Sequence, residues 1–149
     1  FYVYSNEDLT SIDSGFIKIS KDLVDKLPHS LPDYLTSCKD EINNLLEGIK
    51  LPIVSIKPLE AGGITLKEAM VFRAMVEGVL IQFLYEKTYT TYRFKSQTIK
   101  KALNYKISPK EISKINDIPD FPDWWASFPQ TYRELALYLI ATQRLHNDD

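Results

Sequence analysis

Apolar and polar positions along this chain change period several times, and the changes mark its elements. Phe1-Tyr-Val-Tyr4 and Phe16-Ile-Lys-Ile-Ser20 are short aromatic or β-branched runs. They flank a polar turn containing Asp13-Ser-Gly15, which predicts two adjacent strands. From about Leu31 to Gly48 the period lengthens to that of a helix, with Leu35, Ile42, Leu45, Leu46 and Ile49 on one face. Ser30 fits its N-cap, Pro32 its first turn and Gly48 its end. Pro52-Ile-Val-Ser-Ile56 predicts a buried strand stopped by Pro58. A loop follows at Leu59-Glu-Ala-Gly-Gly63, and then Thr65-Leu-Lys-Glu68 reads as a capping box. There the Thr hydroxyl and the Glu carboxylate each satisfy a backbone N–H that the helix leaves unpaired.

The helix opened by that box is predicted to run to about Lys87. From Ala69 to Leu84 it is apolar nearly all round, interrupted by Arg73, Glu77, Gly78 and Gln82, with Arg73 and Glu77 an i,i+4 pair. Such a helix packs on more than one side, either centrally in the domain or at an oligomer interface. Tyr89-Thr-Thr-Tyr-Arg-Phe94 predicts a strand by its β-propensity and alternation. Ser96 to Leu103 reads as a short helix, and Ser108-Pro-Lys-Glu111 is a second capping box opening a helix to about Ile115. Residues Pro119 to Pro129 carry three prolines and Trp124-Trp125, a loop folded onto the body by its aromatics. A third box, Thr131-Tyr-Arg-Glu134, opens a last helix through Leu145. At its coarsest the order is β-β-α-β-α-β-α-α, an α/β class with a mixed β-sheet covered by helices.

Composition sets the scale. The 149 residues are 44% hydrophobic and 26% charged, which suits a single globular α/β domain over residues 1–149 and argues against intrinsic disorder. One cysteine, Cys38, excludes an internal disulfide framework and a zinc ribbon. No apolar stretch is long enough to suggest a membrane span. The chain begins with Phe1 rather than Met, which points to a processed product, an excised domain or part of a longer gene product. A single thiol is compatible with a reducing compartment, so the expectation is a soluble, intracellular chain.

Charge changes the picture more. The net of −2 excludes a strongly basic chromatin-type protein, but it is not evenly spread. Lys87, Arg93, Lys95, Lys100, Lys101, Lys106, Lys110 and Lys114 fall in one segment whose single acid is Glu111. That segment is +7, which leaves −9 for the rest. Tyr89, Tyr92, Phe94 and Tyr105 are interleaved with the positives, a combination suited to phosphate contacts plus base or ribose stacking. The competing interpretation is an ordinary solvated face.

A second candidate site is carboxylate. Asp13 near the first strands, Glu60 after the strand at 52–56 and Glu134 at the start of the last helix would hold two Mg²⁺ for phosphodiester hydrolysis if they converged. Each also has a structural use: Asp13 in a turn, Glu60 in a solvated loop, Glu134 in its capping box. His29 and His146 stand alone, and Cys38 lacks a histidine partner, which favours a structural thiol over a nucleophile. Gly62-Gly63 lacks the further residues of a nucleotide-binding loop. Trp124 and Trp125 read as packing residues.

From Pro52 onward the chain resembles the RuvC-like Holliday junction resolvases, particularly the phage-type members of the RNase H-like superfamily. The residues that carry the resemblance are Ile53-Val-Ser-Ile56, the helix at 69–87, Tyr92-Arg-Phe94, Ser96-Gln-Thr-Ile-Lys-Lys-Ala-Leu-Asn104 and Glu134-Leu-Ala-Leu-Tyr-Leu-Ile-Ala141. It is a resemblance of pattern over about two-thirds of the chain, and no single piece is specific. It implies an RNase H-like fold and an Mg²⁺-dependent nuclease acting on branched DNA as a homodimer, with four acidic ligands. The family's strand-closing Asp falls here on Ser5 or Asn6, unless Asp13 serves. Its central-strand Glu falls near Lys57, with Glu60 three positions late, and its final acidic pair falls on Thr131 and Glu134.

Losing two or three ligands would abolish two-metal hydrolysis. The favoured expectation is therefore a catalytically degenerate RNase H-like module without a cofactor, a nucleic-acid-binding or structural subunit of a larger assembly. Its nucleic-acid contacts would come from Lys87, Arg93, Lys95, Lys100, Lys101, Lys106 and Lys110. An active Mg²⁺-dependent nuclease through Asp13, Glu60 and Glu134 is the alternative. A third is a protein-interaction domain that contacts a partner or a second copy through helix 66–87.

Overall fold

The first two strands pair across a tighter connection than the sequence predicts. In the computed structural model, which describes residues 2–6, 8–16, 31–50, 52–58 and 68–147, strand β1 (Tyr2–Ser5) pairs antiparallel with β2 (Ile12–Gly15). Asp13-Ser-Gly15 is thus strand rather than turn, and residues 17–20 of the expected strand lie outside the described residues. Side-chain chemistry moves the turn forward. The Asn6 carboxamide accepts from the Ser11 amide at 2.8 Å and donates to the Thr10 hydroxyl at 2.7 Å, while Asp8 accepts from both the amide and the hydroxyl of Thr10. Gly15 faces Tyr2 in register, and a Cβ there would come within 2.5 Å of the Tyr2 hydroxyl oxygen. The missing side chain is what lets that ring lie across the hairpin.

The described chain is mixed α/β, with five α-helices and two two-stranded sheets. This corrects the expectation of one mixed β-sheet covered by helices. Strand β3 (Ile53–Ser55) lies between Pro52 and Pro58, neither of which has an N–H to give to a ladder. Strand β4 (Thr90–Tyr92) pairs with β3 and is cut short before Phe94, which turns into a hydrophobic core. Strands of three and four residues leave too little edge to assemble a wider sheet.

The chain divides into two compact units, Phe1–Phe16, Ser55–Lys57 and Arg93–Asp149 in the first, Ile17–Val54 and Pro58–Tyr92 in the second. In the second, α1 (Leu31–Leu46) packs on α2 (Glu68–Glu86), which also contacts β4. Gly48 ends α1 as the sequence predicts, at φ +84°, where a side chain would be strained even with open space around it. The proposed N-cap Ser30 and the capping residue Thr65 lie outside the described residues. Helix α2 contacts α1 and β4, and Val71, Met75 and Tyr85 remain exposed. Glu77 is buried while Arg73 is exposed, so the expected polar stripe is divided.

In the first unit, α3 (Ser96–Ala102), α4 (Pro109–Ile112) and α5 (Gln130–Asn147) follow β4, three helices where the coarse order has two. Helix α5 contacts β1, α3 and α4, and its Ala136, Leu137, Tyr138, Ile140 and Ala141 are the centre of the core. Ile99 and Leu103 from α3, Ile112 from α4, and Trp125 and Phe128 from the proline-rich loop close around them. The loop aromatics pack as the sequence predicts. The indole N–H of Trp124 donates to the Leu9 carbonyl at 2.7 Å and that of Trp125 to the Ile115 carbonyl at 2.9 Å.

The third capping box does not form as expected. Helix α5 opens at Gln130, directly after Pro129, whose carbonyl accepts from the Tyr132 amide at 3.0 Å. Thr131 therefore stands inside the first turn, and the Glu134 carboxylate pairs instead with Lys57 Nζ at 2.8 Å.

Candidate nucleic-acid interface

Seven of the eight positive residues in the basic segment belong to the first unit: Arg93, Lys95, Lys100, Lys101, Lys106, Lys110 and Lys114. Lys87 belongs to the second, where its ammonium lies 5.7 Å from the centre of the Phe83 ring. All are exposed except Lys100, which is half-buried. Helix α3 ends with Lys100 and Lys101 in its last turn, where their charge suits the carbonyl end of the helix dipole. Asn104 then takes φ 58°, and the Tyr105 amide reaches back to the Lys100 carbonyl at 2.9 Å, closing the helix and turning the chain toward α4.

Helix α4 is set by the predicted capping box. The Ser108 amide donates to the Glu111 carboxylate at 2.8 Å, and the Ser108 hydroxyl accepts from the Glu111 amide at 3.3 Å. The Ser108 hydroxyl also donates to the Glu111 carboxylate at 2.7 Å, and this bond, with the one from the Ser108 amide, holds the Glu111 carboxyl below its usual pKa of 4.5, the positive charges of Lys114 and Lys100 adding to the effect. A lowered folded pKa means that the box is intact at neutral pH and is lost only as pH falls through the lowered value. Lys100 comes from α3 and Lys114 from just beyond α4, three positions after Glu111, and both charges act on the one acid in the segment.

The interleaved aromatics do not share that surface. From Arg93 to Lys114 the only aromatic residues are Phe94 and Tyr105. Both are half-buried against the core, and Tyr105 stands edge-on to Phe121 with ring centres 6.2 Å apart. Tyr89 and Tyr92 lie in the second unit and are half-buried. The surface presented by α3 and α4 is thus one of point charges.

The carboxylate candidates have separate engagements. Asp13 is exposed on β2 and accepts from the Ser14 amide at 2.7 Å. Glu134 is held by Lys57, and Glu60 lies outside the described residues. Among the described residues, no group of three His, Cys, Asp or Glu side chains is arranged to hold a metal ion. Cys38 is buried on α1, and burial pushes its thiol pKa up, the reverse of an activated nucleophile. His146 is half-buried on α5, and His29 lies outside the described residues. An open groove of about 610 Å³, lined by Tyr85, Glu86, Thr88, Tyr89 and Thr90, pairs no nucleophile with a base.

No family model matches this chain, and no curated protein or solved structure does either. Among the described residues no helix is long and apolar enough to cross a membrane.

Two residues that organise the first unit escape sequence reasoning. Lys57 pairs with Glu134 from far away in the chain, and its only signal was its place just after a predicted strand. Arg133 is 5% exposed and donates to the Phe128 carbonyl, the Ala126 carbonyl and the Asn116 side chain, with its guanidinium 5.5 Å from the centre of the Trp125 ring. Its signal was an arginine inside a core-facing helix.

Proposed function

We propose that this chain is a non-catalytic nucleic-acid-binding module that works through the lysine face of α3 and α4. The observation that carries the reading is that Lys101, Lys106, Lys110 and Lys114 are all exposed on or beside two helices that contact each other, α3 and α4, with Glu111 the one acid among them. Clustered ammonium groups neutralise backbone phosphates and release the counterions condensed on them. The acids Asp117, Asp120 and Asp123, all exposed, follow in the next loop, so along the chain the positive segment gives way directly to a negative one. The non-catalytic part of the proposal rests on Lys57. By the sequence resemblance to RNase H-like nucleases, that family's strand-end carboxylate falls near Lys57, an ammonium here, and Lys57 pairs with Glu134 and neutralises its charge.

Titration of a labelled oligonucleotide against salt tests the reading. Affinity should fall steeply between about 50 and 200 mM salt, and absence of binding at the low end would remove the proposal. Glu111 gives a second test. Glu111→Gln keeps the Ser-x-x-Gln form of the capping box and deletes the one negative charge in the face. Binding should tighten roughly 2- to 5-fold. Weaker binding by a folded variant would count against the surface.

Helix α2 favours a second reading, as a protein contact. Val71, Met75, Gly78, Gln82 and Tyr85 recur at alternating steps of four and three, the spacing of a coiled-coil seam, and all are exposed. Sedimentation equilibrium should then show a concentration-dependent dimer that Met75→Glu abolishes. A single monomer species at every concentration would end the self-association reading.

A further inference from the structure

We infer that the lysine face reads the sugar–phosphate backbone of a double-stranded nucleic acid and does not stack bases. The inference rests on the nucleic-acid reading proposed above and adds the class of ligand.

Single-strand binders combine a basic groove with aromatic platforms on which bases stack. This face lacks the platforms: between Arg93 and Lys114 its two aromatics, Phe94 and Tyr105, are committed to the core. The large apolar side chain it does expose, Ile107 at 38%, has no π-face to offer. Sequence-specific readout is poorly provided for as well. The commonest base contact is a planar guanidinium forked onto a guanine edge, and six of the seven positives here are lysines. Lysine acts as a compact, mobile point charge that meets phosphate in many geometries.

The ligand must therefore supply its attraction through charge density. A duplex carries one phosphate charge per roughly 1.7 Å of axis against about 3.4 Å for one strand, and it releases more counterions per contact. A face built of lysines on two short helices gains more from the denser lattice. Equal affinity for unrelated sequences follows from the same geometry.

The test compares two duplexes of unrelated sequence with an unstructured single strand of the same length, at one salt concentration. The expected result is equal affinity for the two duplexes within about twofold, and several-fold weaker binding of the single strand with a shallower salt slope. Single-strand binding as tight as duplex binding, or tenfold discrimination between the duplexes, would overturn the inference while leaving the nucleic-acid reading intact. Binding of none of the three ligands would instead remove that reading. Tyr105→Leu supplies an independent check, since it keeps an apolar side chain against Phe121. The folded variant should bind within about twofold of wild type, whereas a stacking platform would show at least a fivefold loss.

Discussion

Replacing Arg133 by Ala should lower the stability of the first unit by about 3–5 kcal/mol. The guanidinium is buried, and its charge is met by dipoles rather than by an acid: two backbone carbonyls at 2.8 Å and the Asn116 side-chain oxygen at 2.7 Å. It also lies over Trp125, which is 2% exposed. Alanine removes the donor and leaves the buried Phe128 carbonyl without a partner, a loss of roughly 1–3 kcal/mol, while the Ala126 carbonyl, on an exposed residue, loses its bond as well. Packing against the indole is lost as well. Arg133→Lys should recover little, because one ammonium cannot reach three acceptors spread around a planar fork. The measurement is direct, since both tryptophans of the chain lie in the first unit and their fluorescence reports its unfolding. A denaturation midpoint within 1 kcal/mol of wild type, taken on the order of a surface substitution, would mean that Arg133 does not hold the proline-rich loop.

Arg133 also shows where sequence reading stops. Periodicity located the helices because an amphipathic pattern and a capping box are local: the long helix ends at Glu86, one residue from its prediction, and the Ser108 box forms as written. The sheets were less legible. Whether short β-prone runs join one sheet or two depends on partners far apart in sequence, and the prolines around β3 constrain its length without naming its neighbour. The early hairpin depended on a side chain, Asn6, whose carboxamide can close a turn that a count of glycines does not show. The same division holds for the site. A run of positive residues is visible in one dimension, but which of them share a surface depends on α3 and α4 packing against each other. The interleaving of aromatics and lysines was legible too, but adjacency in sequence does not say which side chains pack on the core, as Phe94 and Tyr105 do.

Lys106→Glu combined with Lys110→Glu should weaken nucleic-acid binding by roughly 10- to 100-fold at about 0.1 M salt, and the salt slope should flatten by about 1.8 if each lysine contacts one phosphate. Both side chains are exposed and flank Ser108, so each reversal removes an attraction and adds a repulsion at the surface without disturbing the core. The positions also separate binding from folding. Lys110 follows Pro109 in the first turn of α4, where a carboxylate is favoured by the helix dipole, so Lys110→Glu should leave the helix intact or strengthen it. Lys106 lies in the connection between α3 and α4, outside either helix. Loss of binding with an unchanged unfolding transition is therefore the expected pair of results. A control of equal charge change, Lys39→Glu with Lys50→Glu, alters the second unit only and should leave affinity within about threefold. If the control weakens binding as much as the Lys106/Lys110 pair, the protein senses net charge rather than a face, and the surface formed by α3 and α4 is not the interface. If only the Lys106/Lys110 pair acts, the local positive charge around α4, rather than the −2 of the whole chain, governs what this protein binds.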